Sequence, residues 1–197
     1  MKKFVLVCLV SPFLISAASL AQNQPNILIV YYSAKGHTRS MAEAVANGAR
    51  SMQGVNVKLL TVTEARTSDV IAADAIIVGS PVYNANVAPP VQEFINSWPF
   101  SGAPLRDKIG AAFVSGGGIS AGEELTQMNI LHSMLIFGMI VAGGPDWKKP
   151  FGASAIVEEE PFGRDQQQGG VQEYFLRKGE ALGKRVAQLA LKLKCID

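Results

Sequence analysis

The sequence predicts a single α/β domain in which helices cover both faces of a doubly wound, parallel five-stranded sheet. Three observations support this class. Short apolar runs rich in β-branched residues alternate with helical patterns, the first run leads through a short polar loop directly into a helix, and a long amphipathic helix closes the chain. Alternating strands and helices are typical of parallel sheets, because each crossover helix returns the chain to the start of the next strand.

The predicted strands lie at residues 26–30, 55–60, 75–79, 108–114 and 139–142. The second strand alternates polar and apolar residues, as an edge strand does, whereas the third is continuously apolar and predicts burial on both faces. The predicted helices lie at residues 38–49, 68–72, 89–98, 121–136 and 172–194. Pro89 and Pro90 open the third of these helices, in the first turn, where their missing N–H groups cost little.

The first 21 residues have the organisation of a secretory signal peptide. Two lysines precede an apolar stretch at 4–15, and small residues come just before a cleavage site at Gln22. The apolar stretch is too short to span about 30 Å of hydrocarbon with helix to spare. We therefore predict a leader at 1–21, a mature domain at 22–197 and export to the bacterial periplasm by the general secretory route. An uncleaved N-terminal anchor is the alternative.

Charge and cysteine content narrow the classes of partner. The chain carries 18 basic and 16 acidic residues, and the leader contains two of the lysines and no acidic residue, so the mature chain has 16 of each. Nothing in this balance suggests a basic stripe for nucleic acid or a polybasic membrane patch, and we expect no stable membrane insertion after cleavage. Cys8 lies in the leader and leaves only Cys195, so no internal disulfide forms. No metal site is predicted.

The loop after the first predicted strand has the composition of an anion-binding turn. Ser33, Lys35, Gly36, His37 and Thr38 lie where the strand gives way to the helix. Backbone N–H groups at a helix N-terminus are unpaired, and the helix dipole favours an anion there. The loop matches neither Gly-x-Gly-x-x-Gly nor Gly-x-x-x-x-Gly-Lys-Ser/Thr, so it predicts a terminal phosphate rather than a common nucleotide fingerprint. The alternative is a Ser/Thr turn that only caps the helix.

Two further loops follow the third and fourth predicted strands. Their candidate binding residues are Pro81, Val82, Tyr83, Asn84, Ser115, Gly116, Gly117 and Gly118. The first loop offers an aromatic face and backbone polar groups to a flat ring, and the glycine run lets the backbone approach a ligand closely. Ligands of doubly wound sheets bind at the carboxyl ends of the strands, where all three loops should meet. Taken singly, the aromatic could cover the core and the glycines could form a flexible turn.

These motifs resemble the flavodoxin-like superfamily, and specifically the WrbA-type NAD(P)H:quinone oxidoreductases and their NADPH-dependent FMN reductase relatives. The similar segments follow one another in the expected order at residues 31–49, 74–81, 138–141, 151–154 and 186–190. The resemblance covers nearly all of the mature chain. It implies the strand order 2-1-3-4-5, FMN held without a covalent bond, NADH or NADPH as the electron donor, and a quinone or similar small molecule as the acceptor. It also implies that the flavin carries the hydride, so no catalytic side chain is assigned.

The chain departs from the WrbA pattern at several positions. Ile136 and Phe137 stand where the family has a His pair, and Lys35 stands where the family often has an aromatic. By a looser resemblance, Trp98 is expected to border the acceptor pocket. Two other readings remain open: an exported electron carrier that docks to redox proteins, and a protein of this fold that has lost FMN. The sequence does not decide between NADH and NADPH, nor between a monomer and a homo-oligomer.

Overall fold

The computed structural model describes residues 24–163 and 169–195. The predicted leader and its cleavage site lie outside these residues. The strands are β1 Asn26–Tyr31, β2 Asn56–Thr61, β3 Ala75–Tyr83, β4 Asn86–Val87, β5 Ile109–Gly116, β6 Ile140–Val141 and β7 Ala153–Ile156. The helices are α1 His37–Arg50, α2 Thr67–Ala72, α3 Pro89–Asn96, α4 Glu123–Ile136 and α5 Glu173–Lys194.

The strands form one sheet in the order β2-β1-β3-β5-β6, with parallel pairing along this path. This is the spatial arrangement that was predicted, but the described residues contain seven strands rather than five. Strand β4 pairs with β3 in antiparallel fashion, and β7 lies beside β5 in parallel. The predicted five-stranded sheet is therefore wrong in its strand count and right in its central order.

One extra strand arises because β5 has two partners on its outer edge: β6, which matches the predicted fifth strand at 139–142, and β7, which was not predicted. Strand β6 pairs with the start of β5, where Ile109 faces Ile140, and β7 pairs with the end of β5, where Phe113 faces Ala153. The intervening segment at 143–150 begins with two glycines and contains two prolines, which have no N–H to donate to a sheet. The chain therefore leaves the sheet edge after β6 and returns to the same strand, β5, nearer its carboxyl end.

The other extra strand belongs to a tight hairpin between β3 and β4. Tyr83 pairs with Asn86, and the two residues between them, Asn84 and Ala85, have φ angles of +51° and +59°. Two consecutive positive φ angles are typical of the turn that joins antiparallel strands through two residues. This segment was predicted to be a loop without pairing, so the hairpin gives the predicted ring-binding residues a more rigid backbone than expected.

The core has two apolar layers, one on each face of the sheet. Successive residues of β1 alternate between them: Ile27 and Ile29 pack in the layer that contains α1 and α5, whereas Leu28 and Val30 pack in the layer that contains α2, α3 and α4. All eight residues of β5 are buried, as expected for a central parallel strand. The prediction that helices cover both faces of the sheet is confirmed.

Helices α1 and α5 pack unusually closely. A methyl group added to Gly48 would lie 1.9 Å from the Glu180 carbonyl oxygen, and one added to Gly183 would lie 1.9 Å from the Val45 carbonyl oxygen. The missing side chains therefore bring the two backbones together and fix where α1 begins relative to the sheet. In the described part of the chain, no helix has the length and apolar character needed to cross a bilayer.

Candidate functional site

A cleft of about 250 Å³ opens at the carboxyl ends of β1, β3, β5 and β7. The predicted binding residues that line it are Ser33, Lys35, His37, Thr38, Pro81, Val82, Tyr83, Ser115 and Gly117. The three predicted loops therefore meet at one edge of the sheet. Three further lining residues were not predicted: Ala34, Val157 and Glu158.

The first wall of the cleft is the turn that leads into α1. Gly36 precedes the helix with a φ angle of +95°, and its N–H donates to the Ser33 hydroxyl oxygen at 3.1 Å. This bond folds the loop back so that the helix begins at His37 beside the cleft. The N–H groups of the first helical turn have no partner within the helix, and such groups bind anions. These N–H groups lie beside the cleft, and phosphate binding by them stays a prediction.

A pair of buried hydroxyl groups joins the first wall to the end of β5. The Thr38 and Ser115 hydroxyl oxygens lie 2.8 Å apart, and these residues are only 1% and 5% exposed. One hydroxyl donates to the other, so the pair retains one hydroxyl hydrogen to donate to a ligand. The two loops are thus held in register by the same groups that were predicted to bind the ligand.

The second wall is the β3–β4 hairpin, with Pro81, Val82 and Tyr83 along the cleft. Tyr83 is 40% exposed, so one part of its ring is available to a ligand. Partial burial raises the pKa of its hydroxyl above 10, and the neighbouring Tyr32 adds to the effect. The hairpin is braced from outside, because the Asn129 side-chain amide donates to the Asn86 side-chain oxygen at 3.0 Å.

The glycine run after β5 serves the packing of the chain itself. A methyl group on Gly117 would lie 3.0 Å from a carboxylate oxygen of Glu158, and one on Gly118 would lie 2.8 Å from a carboxylate oxygen of Glu159. A methyl group on Gly116 would meet only ordinary contacts, beginning at 3.5 Å. Two of the three glycines therefore make room for acidic side chains from the loop after β7, which adds to the predicted role of ligand approach.

The loop after β7 is the part of the site that was not predicted from the sequence. No residue of the acidic run at 158–160 was among the predicted site residues, yet Glu158 lines the cleft and accepts from the Lys35 ammonium group at 3.0 Å. This hydrogen bond and the carboxylate charge raise the pKa of Lys35 above 10.5. The signal available from sequence was the position of the run directly after a strand, at the edge where ligands bind.

His37 also faces the anion end of the cleft. Partial burial lowers its pKa below 6.5, the charge of Lys35 lowers it further, and the charge of Glu158 opposes both effects. The imidazole is therefore mainly neutral at pH 7. A neutral ring beside the helix start can donate or accept a hydrogen bond without adding to the charge of the cleft.

Five predicted residues do not line the cleft. Gly36, Asn84, Gly116 and Gly118 lie in the loops that form its walls, whereas Trp98 is elsewhere. Trp98 is 5% exposed and packs in the core, with ring centroids 5.7 Å from Phe94 and 5.4 Å from Phe137. It follows the end of α3, and a helix that runs antiparallel to the strands ends at the opposite edge of the sheet. The structure does not bring Trp98 to the cleft.

Other sites are less suited to a charged ligand. A groove of about 310 Å³ lies at the opposite edge of the sheet, between β1, β2 and α2, away from the carboxyl ends where ligands of this architecture bind. Within residues 24–163 and 169–195, no three His, Cys, Asp or Glu side chains are grouped to hold a metal ion.

The fold and the cleft define an α/β protein of the flavodoxin type, and comparison with known proteins agrees. The model of the family described as NADPH-dependent FMN reductase matches residues 63–153. The chain is 35% identical over 150 residues to a flavodoxin of Aquifex aeolicus, with 72% of this chain and 79% of the relative covered. It is 32% identical over 197 residues to an NAD(P)H dehydrogenase (quinone) of Azorhizobium caulinodans, with 85% of this chain and 98% of the relative covered.

Solved structures show the same fold. An archaeal flavodoxin superposes with a TM-score of 0.66 at 25% identity, covering 84% of this chain and 99% of its own. A WrbA-like flavodoxin from Agrobacterium tumefaciens has a TM-score of 0.66 at 24% identity, and the match covers 85% of this chain and 98% of that one. The chain belongs to the FMN-binding flavodoxin-like family, whose members include proteins named NAD(P)H dehydrogenase (quinone).

The residues of the cleft suit FMN. The start of α1, Ser33 and the Thr38–Ser115 hydroxyl pair offer donors to a phosphate, and Tyr83 offers a partly exposed aromatic surface to a flat ring. The only acidic residue that lines the cleft in the described chain is Glu158, and it is paired with Lys35. The donor set therefore fits a phosphorylated, ring-bearing ligand.

Proposed function

We propose that this protein is an FMN-dependent oxidoreductase that passes a hydride from NADH or NADPH to a quinone or a similar acceptor. One observation carries the proposal: an anion-binding helix start and a partly exposed aromatic hairpin face each other across one cleft. The relatives named NAD(P)H dehydrogenase (quinone), at 29–32% identity and with 98% of each covered, support this activity.

In this proposal the chain binds and orients, and bound FMN supplies the hydride chemistry. The first-turn N–H groups of α1, together with Ser33 and the Thr38–Ser115 pair, hold the phosphate. Val82 and Tyr83 flank the ring on the hairpin side, and Ser115 with Gly117 flanks it on the side of β5. No side chain is assigned a proton transfer, so we expect no single substitution in the cleft to abolish the reaction while the cofactor remains bound.

The cleft has exposed apolar surface nearby for a second ring. Tyr83 on the hairpin and Ile119 in the loop after β5 are 40% and 51% exposed. A nicotinamide and a quinone can therefore use the same face in turn, which predicts alternating half-reactions through one site.

An electron carrier that docks to redox proteins is the second candidate. The flavodoxin of Aquifex aeolicus, at 35% identity, favours it. The balanced charge of the mature chain favours the enzyme, because a carrier that docks electrostatically benefits from a large face of one sign.

Stopped-flow absorbance of the FMN-loaded protein, measured without oxygen, separates the two candidates. The enzyme proposal predicts that NADH or NADPH bleaches the flavin absorbance and that a simple benzoquinone restores it. If neither nicotinamide bleaches the flavin within minutes while a one-electron donor does so readily, the carrier replaces the enzyme. If the purified protein cannot be loaded with FMN, both candidates are refuted.

Export to the periplasm is a separate proposal, supported by the composition of residues 1–21 alone. It predicts that the native mature protein begins at Gln22. N-terminal sequencing of the protein purified from its native source tests this directly, and an intact Met1 on a protein recovered from the cytoplasmic fraction would refute it.

A further inference from the structure

The anion end of the cleft contains an acidic side chain that an ordinary phosphate site lacks. Resting on the proposed binding of FMN, we infer that Glu158 is a competitor of the flavin phosphate: it pairs with Lys35, gives Lys35 up when the phosphate binds, and thereby keeps FMN readily exchangeable. The basis is the 3.0 Å ion pair between the two side chains, both of which line the cleft.

The position of Glu158 is fixed by the backbone around it. The N–H groups of Glu158 and Glu159 both donate to the Gly117 carbonyl oxygen, at 3.0 and 2.9 Å. The Ile119 N–H donates to a carboxylate oxygen of Glu159 at 2.6 Å, which ties the same loop to the glycine run a second time. The backbone of Glu158 is therefore held at the cleft, so its carboxylate stays within one side-chain length of the phosphate.

Separating the Lys35 and Glu158 side chains requires little free energy. The side chains of Lys35 and Glu158 are 74% and 51% exposed, and exposed pairs of this kind contribute little because water screens them. A flavin phosphate carries about −1.5 to −2 charges at pH 7, against one for the carboxylate, so it attracts the ammonium group more strongly. Binding therefore moves Lys35 from the carboxylate to the phosphate and leaves Glu158 without its partner.

Two consequences follow for the flavin. Glu158 lowers the affinity for FMN through repulsion and through competition for Lys35, but it has no such effect on riboflavin, which lacks the phosphate. Because affinity differences within one site appear mostly in the dissociation rate, Glu158 should also speed the release of FMN. A cleft of this kind suits a flavin that exchanges with solution more than one that stays bound permanently.

The experiment is a titration of the purified apo-protein with FMN and with riboflavin, followed by the quenching of flavin fluorescence. Glu158→Gln should tighten FMN binding at least about fivefold, the scale of one unit charge near an anion under solvent-like screening, and slow FMN release in proportion. Its riboflavin affinity should change by less than about twofold, because the substitution removes charge and little volume. Lys35→Gln should weaken FMN binding. In that background Glu158→Gln should still tighten FMN binding by removing the repulsion, but by less than in the wild type, because no competition for Lys35 remains.

Glu43→Gln is the matched control, because Glu43 is exposed on α1 outside the cleft and the substitution changes the net charge by the same amount. An unchanged FMN affinity in Glu158→Gln, or an equal gain for FMN and riboflavin, would overturn the inference while FMN binding itself stands. An equal gain in Glu43→Gln would also overturn it, since the effect would then come from net charge. Failure of the wild-type protein to bind FMN would instead refute the proposed function.

Discussion

Replacing Thr38 with valine tests whether the hydroxyl pair at the base of the cleft binds the phosphate or only braces the loops. The change keeps the shape of the side chain and removes the group that lies 2.8 Å from the Ser115 hydroxyl. Hydrogen bonds to charged groups are worth about 1.5–3 kcal/mol, so loss of the donor to the phosphate should weaken FMN binding by roughly 10- to 150-fold.

The same change should also lower the stability of the apo-protein. Ser115 is 5% exposed, and its hydroxyl would be left without this partner at a cost of about 1–3 kcal/mol. The double variant Thr38→Val with Ser115→Ala removes both hydroxyls, so most of the stability should return while the affinity for FMN stays low. Thr38→Ser, which keeps the hydroxyl, is the matched control for affinity.

Urea unfolding of the apo-proteins and fluorescence titration with FMN measure the two effects separately. In the double variant we expect the free energy of unfolding to return toward the wild-type value while the FMN affinity stays low. An FMN affinity within about twofold of the wild type in Thr38→Val, together with reduced stability, would show that the pair is only a structural brace. The phosphate would then have to bind elsewhere.

Three further predictions concern charge and packing. FMN should raise the pKa of His37, because an added anion stabilises the imidazolium against the burial that lowers its pKa. NMR titration with and without FMN measures this, and an unchanged pKa of His37 would place the phosphate elsewhere. Gly183→Ala should destabilise the protein by about 1–3 kcal/mol in urea unfolding, because the added methyl overlaps the backbone of α1, and an unchanged midpoint would contradict this packing. The hydrogen bond from the Lys58 ammonium group is the main reason that the pKa of Asp69 lies below 3.8. Asp69 should therefore contribute stability above pH 3.8 that is lost as the pH falls through its lowered pKa. The difference in unfolding free energy between the wild type and Asp69→Asn should shrink over that range, and a constant difference would rule out this cause.

The sequence was most informative where a single segment determines its own structure. Each of the five predicted helices and the central predicted strands has a counterpart in the structure. Apolar periodicity could find them because a buried β-strand and an amphipathic helix differ in which positions must avoid water. The polar loop between β1 and α1 was also predictable, since Ser33 and Gly36 act on their own neighbours: the Gly36 N–H bonds to Ser33 three residues away. Adjacent strand ends in a doubly wound sheet then indicated the edge where the loops meet.

The tertiary structure decided what depends on residues far apart in the chain. The pairing of Lys35 with Glu158 spans 123 positions, and no local pattern distinguishes that carboxylate from a solvated one. The unpredicted strand β7 pairs with the end of β5, a contact between segments about 40 positions apart, while β6 pairs with the start of β5. Trp98 was assigned to a pocket by resemblance, but its burial against Phe94 and Phe137 is set by the edge of the sheet at which α3 ends. Local periodicity reports how much of a segment is buried, whereas its partners are selected by the packing of the whole chain, and those partners give this cleft its charge and shape.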